Sequence, residues 1–418
     1  MSPSPTTRPL FENEIPAFSW RQKHHVRIVF ALLNKGGIGA ARFVGGCVRD
    51  SLVGMKPKDI DIATTWLPEE AAQILRDAGI SVIPTGIDHG TITAIIDHQP
   101  IEVTTLRSDV STDGRHATVA FSSNWHDDAA RRDFTMNALY LDADGILHDY
   151  FGGLEDLANK CVRFIGDADM RIQEDYLRIL RFFRFSGRFS DGSFDPVGLA
   201  ACERLKTGID QLSRERVGDE FSKILCHESA VQGLRAMQKI GVLYEIWPQE
   251  PDFAVVERVP LEAGLAVRLA ALWPEKSEVG GKGLGKELRL SNAVNTRRKA
   301  ANANVARFEK ANTQSDLHSL AYGIGCERLN DCLCLVRALD GNEQEALLAR
   351  ADEIEQWDIP VFPFMGRDVT ARGIPSGVLV GSILRRVEER WISEDFPVRT
   401  RLDEIFQEEI IAAKSGNE

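Results

Sequence analysis

Phe43 to Trp66 reads FVGGCVRDSLVGMKPKDIDIATTW, and the rest of the chain is organised around it. A short apolar lead-in (Phe43, Val44) runs into Gly45-Gly46 and then into Cys47 to Val53, which can form a short helix. Glycine lets the backbone approach a phosphate closely, and a helix N-terminus offers free N–H groups to an anion. Arg49 then sits one turn into that helix, able to fork onto a phosphate oxygen pair. Lys58-Asp59-Ile60-Asp61-Ile62 alternates charged and apolar residues, and residues two apart on a strand share a face. Asp59 and Asp61 are therefore expected to point the same way, with Ile60 and Ile62 turned into a core. Two carboxylates side by side repel unless cations sit between them. That setting suits Mg²⁺, a hard ion that keeps some waters and takes further oxygens from phosphates. Alone, the glycines read as a plain turn and the aspartates as an acidic edge facing solvent. Their order within one strand–turn–helix–strand unit makes the combination specific.

The stretch resembles the nucleotidyltransferase motif of the DNA polymerase β superfamily. GGxVRD followed by DIDIATT is similar in particular to the class II tRNA nucleotidyltransferases (CCA-adding enzymes) and their bacterial poly(A) polymerase relatives. Two later stretches strengthen the resemblance. Arg131-Arg132-Asp133-Phe134-Thr135-Met136-Asn137-Ala138 matches the family's RRDFTxNA without a substitution. Glu174-Asp175-Tyr176-Leu177-Arg178-Ile179-Leu180-Arg181 with Arg184 keeps every charged member of EDPLRILRAxRF, with Tyr176 where proline is usual. Asp149 to Leu157 (DYFGGLEDL) matches the hinge between a catalytic head and a helical neck. Glu215-Arg216-Val217 with Glu220 and Lys223 resembles a motif that braces the preceding helix.

The resemblance implies an α+β fold: a small mixed-sheet nucleotidyltransferase head followed by an all-helical neck, body and tail. It implies that Asp59 and Asp61 are catalytic and hold two Mg²⁺ ions, with Gly46 and Arg49 steadying the triphosphate. Arg132 and Asp133 would hold the ribose and phosphates, and a 2′-hydroxyl contact would select ribonucleotides. Asp175 and Arg178 would read the incoming base, and Arg181 and Arg184 complete the nucleotide-binding set. From the residues alone, Asp175 and Arg178 read equally as a helix salt bridge three residues apart. Glu102, between Ile101 and Val103, reads as a solvated strand residue or, as the resemblance to polymerase β relatives implies, as a third carboxylate.

Composition bounds the alternatives. At 418 residues, 43% hydrophobic and 27% charged, the chain is an ordinary globular protein long enough for two to four domains. No apolar run approaches the ~20 residues of a membrane span. The opening MSPSPTTRPLFENEIP has no apolar h-region and reads as a loose arm. Seven cysteines without regular spacing suggest reduced thiols and a cytoplasmic protein, with Cys326, Cys332 and Cys334 read as core residues. A net charge of −12 excludes a globally basic nucleic-acid binder, so RNA would be held by local basic patches.

Periodicity predicts helices over 20–34, ended by Lys35-Gly36-Gly37, and over 68–78, then strands over 80–84, 91–97 and 101–106. Residues 107–124 read as a largely mobile loop, and 227–247 and 261–273 as helices. A glycine-rich connection at 275–285 marks a boundary. Arg297-Arg298-Lys299 reads as a phosphate-contact patch or equally as a solvated helix face, and Gly373 to Gly377 leads into a helix over 378–392 that resembles the family's RNA-packing tail. The expected domains are a flexible arm (1–19), head (20–157), neck (158–228), body (229–340) and RNA-binding tail (341–418). The resulting expectation is a template-independent, Mg²⁺-dependent enzyme adding C, C and A from CTP and ATP to the tRNA 3′ end, with no obligate protein partner. Poly(A), CC-only or A-only addition shares these motifs, and a non-catalytic RNA-binding relative is the reading from another class.

Overall fold

The structure, a computed structural model, describes residues 5–35, 39–112, 117–274, 283–339 and 345–415. Two compact units emerge, Met1–Pro248 and Gln249–Glu418. In the first, β1 (Thr6–Pro9), β2 (Ala41–Val44), β3 (Asp61–Thr64), β4 (Ser81–Gly86), β5 (Thr91–Ile96), β6 (Gln99–Thr105), β9 (Leu139–Leu141) and β10 (Ile146–Asp149) make one sheet. Its order is β1-β10-β9-β2-β3-β6-β5-β4, while β7 (Arg107–Thr112) and β8 (Ala117–Phe121) form a separate hairpin. Among the described residues only β3 and β6 pair in parallel, with Asp61 opposite Glu102. The central strands bury consecutive residues on both faces: Phe43, Val44, Ile62, Ala63, Leu139, Tyr140 and Leu141 are all buried. Phe43 stacks on Phe30 at 4.0 Å and meets Trp20 edge-on at 4.9 Å. Phe30 belongs to α1 (His24–Asn34), which also buries Val26, Val29 and Leu33. Each such burial stabilises by about 1.5–3 kcal/mol.

Three expectations for this region change. The loose arm is ordered from Thr6: β1 pairs with β10 along Thr6–Pro9, and a 3₁₀ run over Ile15–Gln22 buries Phe18 and Trp20. The apolar Phe18 and Trp20, not the Ser/Pro/Thr composition, decide this. The helix predicted from Trp20 begins at His24, because Lys23 is extended (ψ 139); the glycines at 36–37 that were to end it lie outside the described residues. The loop at 107–124 contains the β7–β8 hairpin, held by its ladder, and its tip at 113–116 lies outside the described residues.

Helices α2 (Gly46–Leu52) and α3 (Pro68–Asp77) flank the sheet segment, and α4 (Trp125–Ala130) precedes the Arg-Arg-Asp stretch. Then come α5 (Gly153–Ala158), α6 (Ala168–Glu174), α7 (Leu177–Phe189), α8 (Pro196–Leu205), α9 (Arg214–Leu225), α10 (Ala230–Lys239) and α11 (Val242–Ile246). The helix expected over 227–247 breaks at Gly241 (φ 81). Helix α7 buries Ile179, Leu180, Phe182, Phe183, Phe185, Ser186 and Phe189. Tyr176 starts it at φ −62, ψ −15, the backbone a proline would also take. At the hinge, a Cβ on Gly153 would lie 2.3 Å from the Thr135 carbonyl oxygen, so only glycine lets these segments touch. The Asp149 carboxylate holds the turn by accepting from the N–H groups of Phe151, Gly153 and Leu154 at 3.1, 3.0 and 2.9 Å.

The second unit is helical throughout its described residues: α12 (Phe253–Arg258), α13 (Gly264–Leu272), α14 (Leu284–Glu287), α15 (Asn292–Lys310), α16 (Gln314–Ala338), α17 (Glu345–Glu355), α18 (Gly366–Thr370), α19 (Val378–Ser393) and α20 (Arg399–Ser415). Most of the expected connection, 275–282, lies outside the described residues. Phe364, Ile383, Trp391, Ile405 and Phe406 share one core. The phosphate patch at 297–299 is corrected. Arg297 forks onto Asp331 at 2.7 and 2.6 Å and Arg298 is 1% exposed, which leaves Lys299 as the exposed member. Cys332 is buried as expected, but Cys326 is exposed. Among the described residues no helix is long and apolar enough to cross a membrane.

Candidate functional site

The Gly45-Gly46 turn exists because β2 must swing into α2 while staying against the Arg-Arg-Asp segment. Gly45 has φ 67, and a Cβ there would lie 3.4 Å from Arg132 Nη1 and 3.5 Å from the Asn137 carbonyl oxygen. Beyond α2 the chain returns as β3, which begins at Asp61 and not at Lys58. Asp59 precedes the strand and is exposed, and Ile60 is half-buried. The parallel pairing of β3 with β6 begins with Asp61 opposite Glu102. The two aspartates nevertheless face one cavity of about 940 Å³, together with Glu102. Burial, and next the Glu102 carboxylate, push Asp61 up to about 6; Arg132 and Arg49 pull it down, and Asp59 adds to the rise. Asp61 thus carries negative charge that its surroundings do not balance.

Arg132 and Arg49, the cations that act on Asp61, belong to a network of arginines that do not line this cavity, each engaged by the protein. Arg49 is 5% exposed and donates to Asp50 Oδ1 from Nε at 2.8 Å and Nη2 at 2.6 Å, and from Nη1 to Asn137 Oδ1. Its fork is therefore not open toward solvent as the sequence suggests. Asn137 in turn donates to Asp133 Oδ1 at 2.8 Å, and Arg181 donates to Asp133 Oδ2 at 2.7 and 2.5 Å. Burial would raise Asp133, but Arg181 and Asn137 outweigh it and hold the carboxyl below its usual range. Arg132 donates to Asp128 Oδ2 at 3.3 and 3.0 Å and to the Tyr140 hydroxyl at 3.2 Å. Arg188 reaches Asp50 Oδ2 at 2.9 Å. A continuous chain Arg188–Asp50–Arg49–Asn137–Asp133–Arg181 therefore ties α7 to the head.

Asp175 and Arg178 do not pair with each other. Asp175 Oδ1 accepts the Leu177 N–H at 3.1 Å, and Oδ2 accepts from Arg216 at 2.7 Å. Arg178 donates to Glu174 at 2.5 Å and to the carbonyls of Arg171 and Arg131 at 2.8 and 3.2 Å. Arg184 donates to Glu220, which is 2% exposed, so α9 braces α7 as its motif suggests. The structure brings Gly46, Arg49, Arg132, Asp133 and Arg181 into one connected region. Asp175 and Arg178 lie at the start of α7, and Arg184 lies toward α9.

Sequence reading left Glu102 open, missed Asp128, gave Asp50 and Asn137 no role of their own, and read Arg216 only as part of the motif that braces α7. Asn137 and Asp50 lie inside quoted motifs, but nothing local shows that residues 88 apart share a hydrogen bond. Among the described residues no three His, Cys, Asp or Glu side chains converge on one metal position. A hard cation at Asp59 and Asp61 would complete its shell from substrate oxygens and water, which fits Mg²⁺ and the unbalanced charge on Asp61.

Comparison with known proteins gives consistent findings. The family model described as Poly A polymerase head domain matches residues 41–163. The one described as probable RNA and SrmB-binding site of polymerase A matches residues 193–251. The chain is 38% identical over 364 residues to the CCA tRNA nucleotidyltransferase 1, mitochondrial, of Danio rerio, covering 84% of this chain and 83% of that protein. It is 31% identical over 379 residues to the CCA-adding enzyme of Levilactobacillus brevis, covering 85% and 90%. The crystal structure of the Bacillus stearothermophilus CCA-adding enzyme in complex with CTP superposes with a TM-score of 0.70 over 93% of this chain and 97% of that one. At 24% identity this is a likeness of fold.

Proposed function

The chain belongs to the CCA tRNA nucleotidyltransferase family, and from that premise we propose how its own residues divide the work of adding C, C and A from CTP and ATP to a tRNA 3′ end. It is an RNA nucleotidyltransferase that releases pyrophosphate at each addition. The observation that carries the division of labour is the position of Asp61. Asp61 shares a cavity with Asp59 and Glu102 and feels the charge of Arg132 and Arg49, which do not line that cavity.

Asp59 and Asp61 would hold Mg²⁺, which when bound lowers the pKa of the RNA 3′-hydroxyl and neutralises charge on the departing pyrophosphate. The chain's residues supply the geometry. The Gly45-Gly46 turn lets the triphosphate approach the backbone, and Arg49 supports it from behind. Arg132 and Asp133 hold the ribose and phosphates, with Asp133 kept ionised by Arg181. Asp175 and Arg178 read the base. Cytosine presents an amine donor beside a ring-nitrogen acceptor, and adenine presents the same pair; uracil and guanine present the reverse. A carboxylate that accepts and a guanidinium that donates therefore match C and A. Supporting this reading, each of the two is oriented by a separate partner, Arg216 for Asp175 and Glu174 for Arg178. The free thiols suit a reducing compartment, the cytoplasm in our reading.

The test is to incubate the protein with tRNA lacking its 3′ end plus labelled CTP and ATP, then sequence the product, beside Asp61→Asn. Addition of CCA that stops there, absent in the variant, supports the proposal. A poly(A) product would replace the CCA-specific reading, and wild-type turnover by Asp61→Asn would remove Asp61 from catalysis.

A further inference from the structure

The cavity that holds the three carboxylates has a second set of charges that the nucleotide does not account for. Lys23, Lys56 and Lys58 line it beside Asp59, Asp61 and Glu102. All three lysines are exposed. Among the described residues none of their ammonium groups has a hydrogen-bond or ion-pair partner, whereas Arg49, Arg132, Arg178, Arg181, Arg184 and Arg188 are each engaged by a carboxylate. In a chain of net charge −12, uncompensated cations gathered beside carboxylates point to an anion that comes and goes.

We propose that Lys23, Lys56 and Lys58 seat the phosphodiester backbone of the RNA 3′ end, on the side of Asp61 opposite the incoming nucleotide. This inference rests on Asp59 and Asp61 being the catalytic pair. Phosphoryl transfer is in line, so the attacking hydroxyl and the leaving pyrophosphate lie on opposite sides of the α-phosphorus. The nucleotide-binding candidates Gly46, Arg49, Arg132, Asp133, Asp175 and Arg178 contribute nothing to this cavity's lining. With the triphosphate on their side, the 3′-hydroxyl must arrive through the cavity, bringing its phosphodiesters with it. Those phosphates pass three carboxylates, and three lysines offset that repulsion.

The scaffold suits the role. Lys23 directly follows the 3₁₀ run whose Trp20 donates to Ser51 Oγ of α2 at 2.8 Å. Lys56 and Lys58 lie on the link from α2 to β3, fixed where Gly54 and Met55 N–H groups donate to the Ser51 and Asp50 carbonyls at 3.0 and 2.8 Å. Both segments are therefore anchored to α2, while each ammonium moves on a flexible stem. A compact mobile charge suits a backbone that must shift by one nucleotide per addition better than a rigid fork does.

The test is Lys23→Gln/Lys56→Gln in the full chain, with Lys58 left in place because it adjoins Asp59. Assayed with tRNA lacking its 3′ end, the double variant should raise KM for tRNA on the order of tenfold and leave KM for CTP unchanged. Each contact to single-stranded RNA adds about 0.7 to the slope of log KM against log salt, so that slope should fall by about 1.4. Lys23→Arg/Lys56→Arg, which keeps both charges, should restore the salt slope. A rise in KM for CTP instead of tRNA would assign the lysines to the triphosphate and overturn the proposal. An unchanged tRNA KM and salt slope would make them a solvated rim and overturn it equally. Asp61→Asn run in parallel separates the two readings. Turnover in that variant defeats the catalytic assignment, whereas an inactive Asp61→Asn beside an unaltered lysine variant defeats only this inference.

Discussion

Asp50→Ala should destabilise the first unit by far more than an ordinary surface ion pair would suggest. Asp50 is 4% exposed and accepts three hydrogen bonds, two from Arg49 at 2.8 and 2.6 Å and one from Arg188 at 2.9 Å. Arg49 is itself 5% exposed, with its guanidinium over the rings of Phe189 and Phe185 at 4.3 and 5.0 Å. Burial already pushes the Arg49 guanidinium down, with Asp50 opposing. Removing the carboxylate leaves a buried cation with only Asn137 among its close polar partners, and breaking such a pair costs about 3–5 kcal/mol. For a body of about 150–250 residues, 1 kcal/mol moves the thermal midpoint by about 2–4 °C, giving a fall of roughly 6–20 °C. Arg188→Ala, whose side chain is 33% exposed, should cost about 1 kcal/mol or less, since Asp50 still holds Arg49. The assay is thermal and urea unfolding of wild type, both single variants, and Asp50→Ala combined with Arg49→Met. Removing the stranded cation should recover most of the loss. A loss below about 1 kcal/mol in Asp50→Ala would refute the reasoning, as would a double variant no more stable than Asp50→Ala.

Three further outcomes are expected. Asp175→Ala should lose discrimination against UTP and GTP as well as rate, because a reversed donor or acceptor no longer leaves a buried polar group unpaired at about 1–3 kcal/mol; CTP-over-UTP ratios of kcat/KM that stay at the wild-type value would remove Asp175 from base reading. Burial alone would raise Asp128, but Arg132 and Arg131 outweigh it and hold its carboxyl well below the ordinary range. A depressed native value adds stability that is complete above the unfolded value of about 3.9 and is lost as pH falls toward the native one. Asp128→Asn should therefore be less stable than wild type at neutral pH yet show a shallower decline below about pH 4, and parallel acid limbs would contradict this. Glu220→Ala, which strands the Arg184 guanidinium against α9, should lower stability by about 3 kcal/mol or more, read by urea midpoint at constant slope; a change under 1 kcal/mol would show that Arg184 finds water instead.

What the sequence determined on its own was local. The glycine turn, the helix after it, the apolar central strands and the buried face of α7 all follow from side-chain spacing, which records the sterics of a few consecutive residues. The chemistry-bearing residue types were legible for the same reason: GGxVRD, D-x-D, RRD and the Glu174–Arg184 stretch each lie within a dozen positions. Pairing across the chain was not legible. That Glu102 stands opposite Asp61, 41 positions away, depends on the parallel register of β3 and β6, which is set by packing and loop closure. Whether an arginine is free or engaged depends on partners far off in sequence: Asn137 and Asp50 for Arg49, Asp133 for Arg181, Asp331 for Arg297. Periodicity saw the last of these as a basic patch, and folding turned it into an internal ion pair. The N-terminal segment shows the same limit. Its composition reads as a tether, yet Trp20 docks on α2 and brings Lys23 to the cavity that holds Asp61. Charge and spacing belong to the chain, but which charges remain unpaired beside the reacting atoms is decided only when distant segments close on one another and exclude water.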